Sequence, residues 1–279
     1  MTEASDTFTF ESGDGLLAYR DTGTGRPLVL LHAGFVDHTM WDDQVPALAR
    51  RHRVIAPDAR GHGASANATA PFRQTDDLAA LLRRLDAGPA VLVGLSMGAI
   101  TAVDTALEHP GLVAGLVLSG GGAPGFDFAD PWAKEVGAAQ YGALAAGDIE
   151  GWTNAFLLWA AGPRRPLEAV RPDVLQRLGA MAGRTLAKHT AGEPDHHTPV
   201  PGTRERAGEL TVPVLALNGA LDTPELAALA EHFAGAVADG RAMTVEGAAH
   251  YPNMEQPDAY NRAVADFADA VYAGRAANG

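Results

Sequence analysis

Ser96 lies in Gly94-Leu95-Ser96-Met97-Gly98, a G-x-S-x-G sequence. A serine hydroxyl is a weak nucleophile at its ordinary pKa. It becomes reactive when a histidine removes its proton and a carboxylate orients that histidine. The flanks suit such chemistry: the apolar run Val91-Leu92-Val93 precedes the motif, and a helical stretch from Met97 to Leu107 follows it. A strand-to-helix turn this sharp holds the serine in a strained conformation with its hydroxyl exposed, and glycines on both sides leave room for neighbouring backbone. The following helix turns its positive end toward the reaction centre, and Met97, directly after the nucleophile, offers a backbone N–H to a developing oxyanion.

The acid and the base follow in a workable chain order. Asp222 ends Asn218-Gly219-Ala220-Leu221-Asp222, just past the apolar run Val214–Leu217. His250 ends Glu246-Gly247-Ala248-Ala249-His250, just past Met243-Thr244-Val245. Ser, then acid, then His is one of the known orders of this constellation. Alone, Asp222 serves equally well as a cap for a helix starting near Pro224, and His250 as a surface histidine. Three suitable residues in the right order, each after an apolar strand, single out Ser96, Asp222 and His250 as the catalytic set.

Parallel strands alternating with helices are the elements able to hold these residues. Phe8–Glu11 and Leu16–Asp21, split by Gly13-Asp14-Gly15, form a β-hairpin pattern. Leu28–Leu31, Val54–Ala56, Val91–Val93, Leu116–Leu118, Val212–Leu217 and Met243–Val245 are continuous apolar runs, as strands buried on both faces are. Helices are predicted over Trp41–Arg50, through Leu78, Leu81, Leu82 and Leu85, over Met97–Leu107 and over Asp258–Tyr272. Such alternation predicts a doubly wound, mostly parallel α/β sheet. The rhythm breaks at Gly120-Gly121-Gly122 and returns after Gly208; between them lie helical patterns and three of the four tryptophans, Trp132, Trp152 and Trp159. An insertion of roughly 80 residues usually covers something.

Composition narrows the function classes. Against 21 Lys and Arg stand 34 Asp and Glu, a formal net charge of −13. Nucleic acid requires a positive surface, so no nucleic-acid partner is expected, and an acidic membrane surface would repel the chain. There is no cysteine, which excludes disulfides, thiolate metal sites and a thiol nucleophile. The first ten residues include Glu3 and Asp6 and no apolar run, and nowhere do about 18 apolar residues follow one another. The expectation is a cytoplasmic protein without a membrane span. His189, His196 and His197, with Glu193 and Asp195, match neither a zinc helix nor a zinc knuckle and are read as a solvated loop. No metal and no cofactor are expected.

Taken with Leu31-His32-Ala33-Gly34-Phe35, with Pro57-Asp58-Ala59-Arg60-Gly61-His62-Gly63-Ala64-Ser65, and with Gly247–Pro257, these motifs resemble the α/β-hydrolase superfamily, in its serine esterase and enol-lactonase-like branch. The resemblance spans nearly the whole chain except the insertion. It implies a core of residues 1–122 and 209–279 and a helical cap, or lid, over residues 123–208. It implies that Gly34, with Phe35 as second candidate, joins Met97 in the oxyanion hole. It implies that His32 supports its loop, that the Asp58, Arg60 and His62 cluster is structural, and that Phe35, Trp132 and Trp159 line the substrate pocket. Family members that open haloalkanes or epoxides carry Asp at the nucleophile position, so Ser96 argues against both. The reaction implied is hydrolysis of a small carboxylic ester or lactone through an acyl-enzyme. C–C bond hydrolysis, cofactor-free perhydrolysis or haloperoxidation, and a non-enzymatic ligand receptor stand as alternatives.

Overall fold

The computed structural model describes residues 7–125, 127–190 and 192–278. The apolar runs become strands where expected. Gly13 takes a positive φ and turns β1 (Thr7–Ser12) into β2 (Gly15–Thr22). Then come β3 (Arg26–Leu31), β4 (His52–Pro57), β5 (Ala90–Leu95), β6 (Val113–Ser119), β7 (Val214–Gly219) and β8 (Gly240–Val245). They form one sheet in the order β1-β2-β4-β3-β5-β6-β7-β8. The β1–β2 and β2–β4 pairs are antiparallel, and all pairs from β4 across to β8 are parallel.

Alternation along the inner strands builds two apolar layers. Leu28 and Leu30 face one layer with Val91 and Val93; Val29 and Leu31 face the other with Leu92. Helices α1 (Val45–Leu48), α2 (Gln74–Arg84) and α3 (Met97–Glu108) belong to the first half of the chain. The predicted helix over Trp41–Arg50 is shorter than expected: a 3-10 turn at His38–Trp41, then the single turn of α1. The expectation that the last strand is buried is corrected too. In β8 every residue except Val245 is exposed, because β8 is the edge of the sheet and lacks a neighbour on one side.

The insertion supplies α4 (Pro131–Ala146), α5 (Ile149–Ala161) and α6 (Pro172–Leu186). Asp130 caps α4 by accepting from Ala133 N–H, Gly147 closes it in the left-handed region, and Asp148 caps α5. The buried face of this insertion (Trp152, Phe156, Val174, Leu178, Met181) is continuous with the core layer that holds Leu28 and Val93. Among the described residues from Ala187 to Pro213 the chain is irregular apart from one 3-10 turn, so the helical pattern of the insertion ends with α6. It is held by backbone pairing of Phe72 with His196 and Thr198, and by the Thr203 hydroxyl donating to Asp104 of α3 at 2.6 Å. The chain returns to the sheet through β7, then α7 (Pro224–Ala236), β8, α8 (Pro252–Glu255) and α9 (Pro257–Asn278). Among the described residues, no helix is long and apolar enough to cross a membrane.

Burial pushes the Asp104 carboxyl up to about 6, against the hydrogen bond from Thr203. A carboxyl raised on folding favours the folded state fully below its unfolded value near 3.8, and that contribution is lost as pH rises through about 6. Asp104→Asn keeps the Thr203 contact and removes the titration. Urea denaturation from pH 4 to 7 is expected to show the wild type losing stability relative to Asp104→Asn as pH rises; parallel curves would refute the assignment.

Candidate active site

Ser96 stands between the carboxyl end of β5 and the first turn of α3 with φ 53° and ψ −111°, a strained region for a residue bearing Cβ. Its glycine neighbours permit this turn. A methyl group on Gly94 would lie 2.2 Å from the Gly98 carbonyl oxygen, and one on Gly98 would lie 2.0 Å from that of Leu31. The helix therefore sits directly on β3 and β5. Met97 opens α3, so its N–H has no intrahelical acceptor.

Asp222 and His250 meet behind this turn. Asp222 Oδ2 lies 2.9 Å from His250 Nδ1, and Asp222 Oδ1 accepts from Thr223 N–H at 2.7 Å. Both side chains are buried. A carboxylate only accepts, so Nδ1 carries the proton and Nε2 is the free ring nitrogen. The glycine run after β6 passes against the pair: a methyl group on Gly120 would stand 2.7 Å from the His250 ring, and one on Gly121 would stand 3.2 Å from Ser96 Cα. The triple glycine, read from sequence only as a break in rhythm, is thus the clearance through which the chain leaves the sheet.

Ser96 and His250 line one cavity of about 260 Å³. Gly34, Phe35 and Met97 border it, as do Ile100, Phe128, Gln140, Phe156, Trp159, Leu226 and Tyr251. The Gly34 and Met97 residues are adjacent, since a methyl on Gly34 would touch Met97 Cβ at 3.9 Å. Trp159 faces the His250 ring at 6.0 Å between centroids and donates from Nε1 to Gln140 at 2.8 Å. Trp132 is not among the lining residues. It packs edge-on behind Trp159 at 5.2 Å, where α4 crosses α5. The sequence reading missed Phe156, although Trp152, Phe156 and Trp159 recur at helical spacing and mark one face of α5. Phe35, at a positive φ, packs on Trp152 at 4.7 Å and on Phe156 at 6.3 Å.

The remaining polar residues of the motifs build the surroundings. His32 is buried with both nitrogens engaged: Nδ1 donates to Ala33 C=O at 2.7 Å and Nε2 accepts from Ala59 N–H at 2.9 Å. Burial lowers its pKa, so it serves as a neutral brace of the Gly34 loop. Asp58 accepts from the N–H groups of His38 and Ala64, and Arg60 pairs with Asp14 and Asp77. His189, His196 and His197 border a separate cavity of about 520 Å³ and do not gather as a three-ligand group. Among the described residues, the one such group is Asp37, His38 and Asp58, whose oxygens are occupied by Arg184, Thr39, His38 and Ala64.

Glu255 holds the His250 loop from the inside. It accepts from Ala249 N–H at 2.8 Å and pairs with Arg165. Burial raises its pKa, opposed by those two contacts. Arg165 also donates to Ala160, Ala161 and Gly247 carbonyls, which fastens the end of α5 to this loop.

Residues 28–263 match the model of the alpha/beta hydrolase family. The chain belongs to this family. Its alpha/beta hydrolase relatives include 3-oxoadipate enol-lactonase 2 of Acinetobacter baylyi, 26% identical over 88% of this chain and 95% of that one. A candidate non-heme bromoperoxidase, BpoC, of Mycobacterium tuberculosis is 45% identical, but over only 37% of this chain and 40% of its own length. Among solved alpha/beta hydrolase structures, esterase RhEst1 from Rhodococcus sp. ECU1013 superposes with a TM-score of 0.75 at 27% identity, covering 95% of this chain and 99% of that one.

Two stability measurements check this geometry. Gly98→Ala should cost about 3 kcal/mol or more, because backbone on both sides must shift. Gly142→Ala, in the exposed interior of α4 with open space around it, should gain about 0.5–1 kcal/mol. Arg165→Met should cost about 3 kcal/mol by leaving Glu255 buried and unpaired, and adding Glu255→Gln should recover part of that loss. Equal urea midpoints for the Gly98 and Gly142 variants, or no recovery in the Arg165/Glu255 double variant, would contradict these assignments.

Proposed function

We propose that this alpha/beta hydrolase cleaves a small carboxylic ester or lactone through an acyl-enzyme, with Ser96 as nucleophile. The observation that carries the reading is the buried Asp222–His250 pair, 2.9 Å apart, whose His250 lines the same cavity as Ser96. The similarity to an enol-lactonase and to an esterase supports the bond type.

In this reading His250 Nε2 takes the Ser96 proton as Oγ attacks the carbonyl carbon. Met97 and Gly34 N–H groups donate to the oxyanion that forms. The tetrahedral intermediate collapses, the C–O bond breaks, and the alkoxide leaves with the proton from His250; in a lactone it stays tethered to the acyl chain. His250 then deprotonates a water, the hydroxide attacks the acyl carbon, and Ser96 Oγ departs and recovers the proton. Asp222 holds the tautomer and stabilises the imidazolium without taking the proton. Residues 123–208 act as the lid, bringing Phe128, Phe156 and Trp159 over the carbonyl and thinning the water around the charge. Trp132 acts through Trp159.

A panel of p-nitrophenyl esters and simple lactones tests this. Ser96→Ala should lower kcat by about 10⁶ with folding retained. Asp222→Asn should lower it by about 10⁴ through the wrong imidazole tautomer. A serine-directed organophosphonate should leave one adduct, on Ser96, and prolonged EDTA treatment should leave activity intact. Activity retained in Ser96→Ala, or lost in EDTA and restored by zinc, would overturn the serine mechanism.

A further inference from the structure

A second cavity, of about 250 Å³, adjoins the first along Met97 and Ile100. Its wall sets hydrogen-bonding side chains among apolar ones, with Pro124, His197, Thr198 and Val200 on the side of the insertion. Arg73, Gln74 and Thr75 come from the start of α2, and Thr101 and Asp104 from α3. Thr75 is only 2% exposed. Among the described residues, neither Thr75 Oγ1 nor Arg73 Nε, both shielded from solvent, has a hydrogen-bond partner. Leaving buried donors unpaired is costly, and such groups call for a partner that completes them. Their neighbours differ: the Thr101 hydroxyl donates to Gln74 Oε1, so those two side chains satisfy each other. Asp104 accepts from Thr203 through Oδ1 alone, and a carboxylate has capacity for more.

The charges around the cavity decide what fits. Arg73 pairs with Glu108 at 3.1 Å, Glu108 also takes Arg206 at 2.8 Å, and Arg206 pairs with Glu209 at 3.0 Å. The two arginines are thus matched by two glutamates, and Asp104 adds a further acid. His197 also lines the cavity, and burial lowers its pKa and favours its neutral form, so no surplus positive charge awaits an anion. A neutral group that accepts from Arg73 and Thr75 and donates to Asp104 satisfies both kinds of wall.

We infer that this second cavity is a subsite for a terminal hydroxyl or primary carboxamide on the acyl part of the substrate, Arg73 and Thr75 donating to it and Asp104 accepting from it. The inference rests on the ester or lactone hydrolase reading above. The Met97 amide fixes the carbonyl end in that reading, and the Met97 and Ile100 side chains, one helical turn apart, lead from there into the second cavity. Phe35 also borders the wide 520 Å³ cavity, which reaches the second cavity at Gln74 and His197; the departing alcohol takes its Phe35 side.

The test compares p-nitrophenyl esters of hexanoic and 6-hydroxyhexanoic acids, of octanoic and 8-hydroxyoctanoic acids, and the monoester of adipic acid. A hydroxyacyl ester should exceed its plain counterpart about tenfold in kcat/KM, through KM, as expected for one or two completed hydrogen bonds. The adipate monoester should fall below both six-carbon esters. Thr75→Val should bring the hydroxyacyl-to-plain ratio close to one while unfolding in urea no earlier than the wild type, since the hydroxyl removed has no partner. Ile100→Phe should erase the ratio by closing the passage. A second readout needs no turnover: titration calorimetry of the Ser96→Ala protein with methyl 6-hydroxyhexanoate and methyl hexanoate should show about tenfold tighter binding of the former. Plain esters turned over without a hydroxyl preference, or an adipate monoester favoured over 6-hydroxyhexanoate, overturn the subsite and leave the hydrolase reading standing. The calorimetric preference without turnover of any ester or lactone overturns the hydrolase reading and leaves the polar subsite standing. Absence of both overturns the two together.

Discussion

The close approach of α3 to the sheet is the constraint on which the rest depends. The first turn of this helix sits so near β3 and β5 that neither Gly94 nor Gly98 tolerates a methyl group. That proximity forces Ser96 into its strained conformation and aims the amino end of α3 at the cavity. It also brings Met97 beside Gly34, although these residues come from different strand ends. The strain at Ser96 is sustained because the surroundings over-determine it: β5 is buried throughout, and Ser96 N–H is bonded to Ser119 C=O.

The site then assembles from the carboxyl ends of β3, β5, β7 and β8, next to the point where chain order reverses across the sheet. Each end contributes one loop, and three of the loops have a brace of their own. His32 spans from Ala33 to Ala59, Thr223 N–H fixes Asp222, and Glu255 holds Ala249. The glycine run at the end of β6 contributes empty space, which the His–Asp pair occupies.

The strand-end positions of Ser96, Asp222 and His250 were legible because each follows an apolar strand within a few residues, and local pattern is what a sequence displays. The parallel sheet was legible for the same reason. Exposure of β8 was not, because Met243 and its neighbours look like any buried run until the order of strands in space is known. After α6 the loop around His189–His197 was legible, but its pairing with Phe72 across the chain was not, because local pattern does not reveal a distant partner. Trp132 and Trp159 look alike in sequence, yet only Trp159 lines the cavity. The crossing of α4 over α5 chooses between them. Ile100 and Gln140 carry no signal at all, since their importance lies in which cavity they happen to border.

Arg165 has a mechanical consequence. It pins the C-terminal end of α5 to the His250 loop, while the other end of α5 finishes at the tight Gly147-Asp148 turn. A rod held at one end swings most at the other. Trp159 lies less than two turns from the pin, so its 6.0 Å spacing to the His250 ring changes little with any tilt. Trp152 is seven residues further out, about 10 Å along the axis at the usual helical rise. The lever's long arm therefore ends over Phe35, and a given tilt parts the Trp152–Phe35 contact well before it disturbs His250.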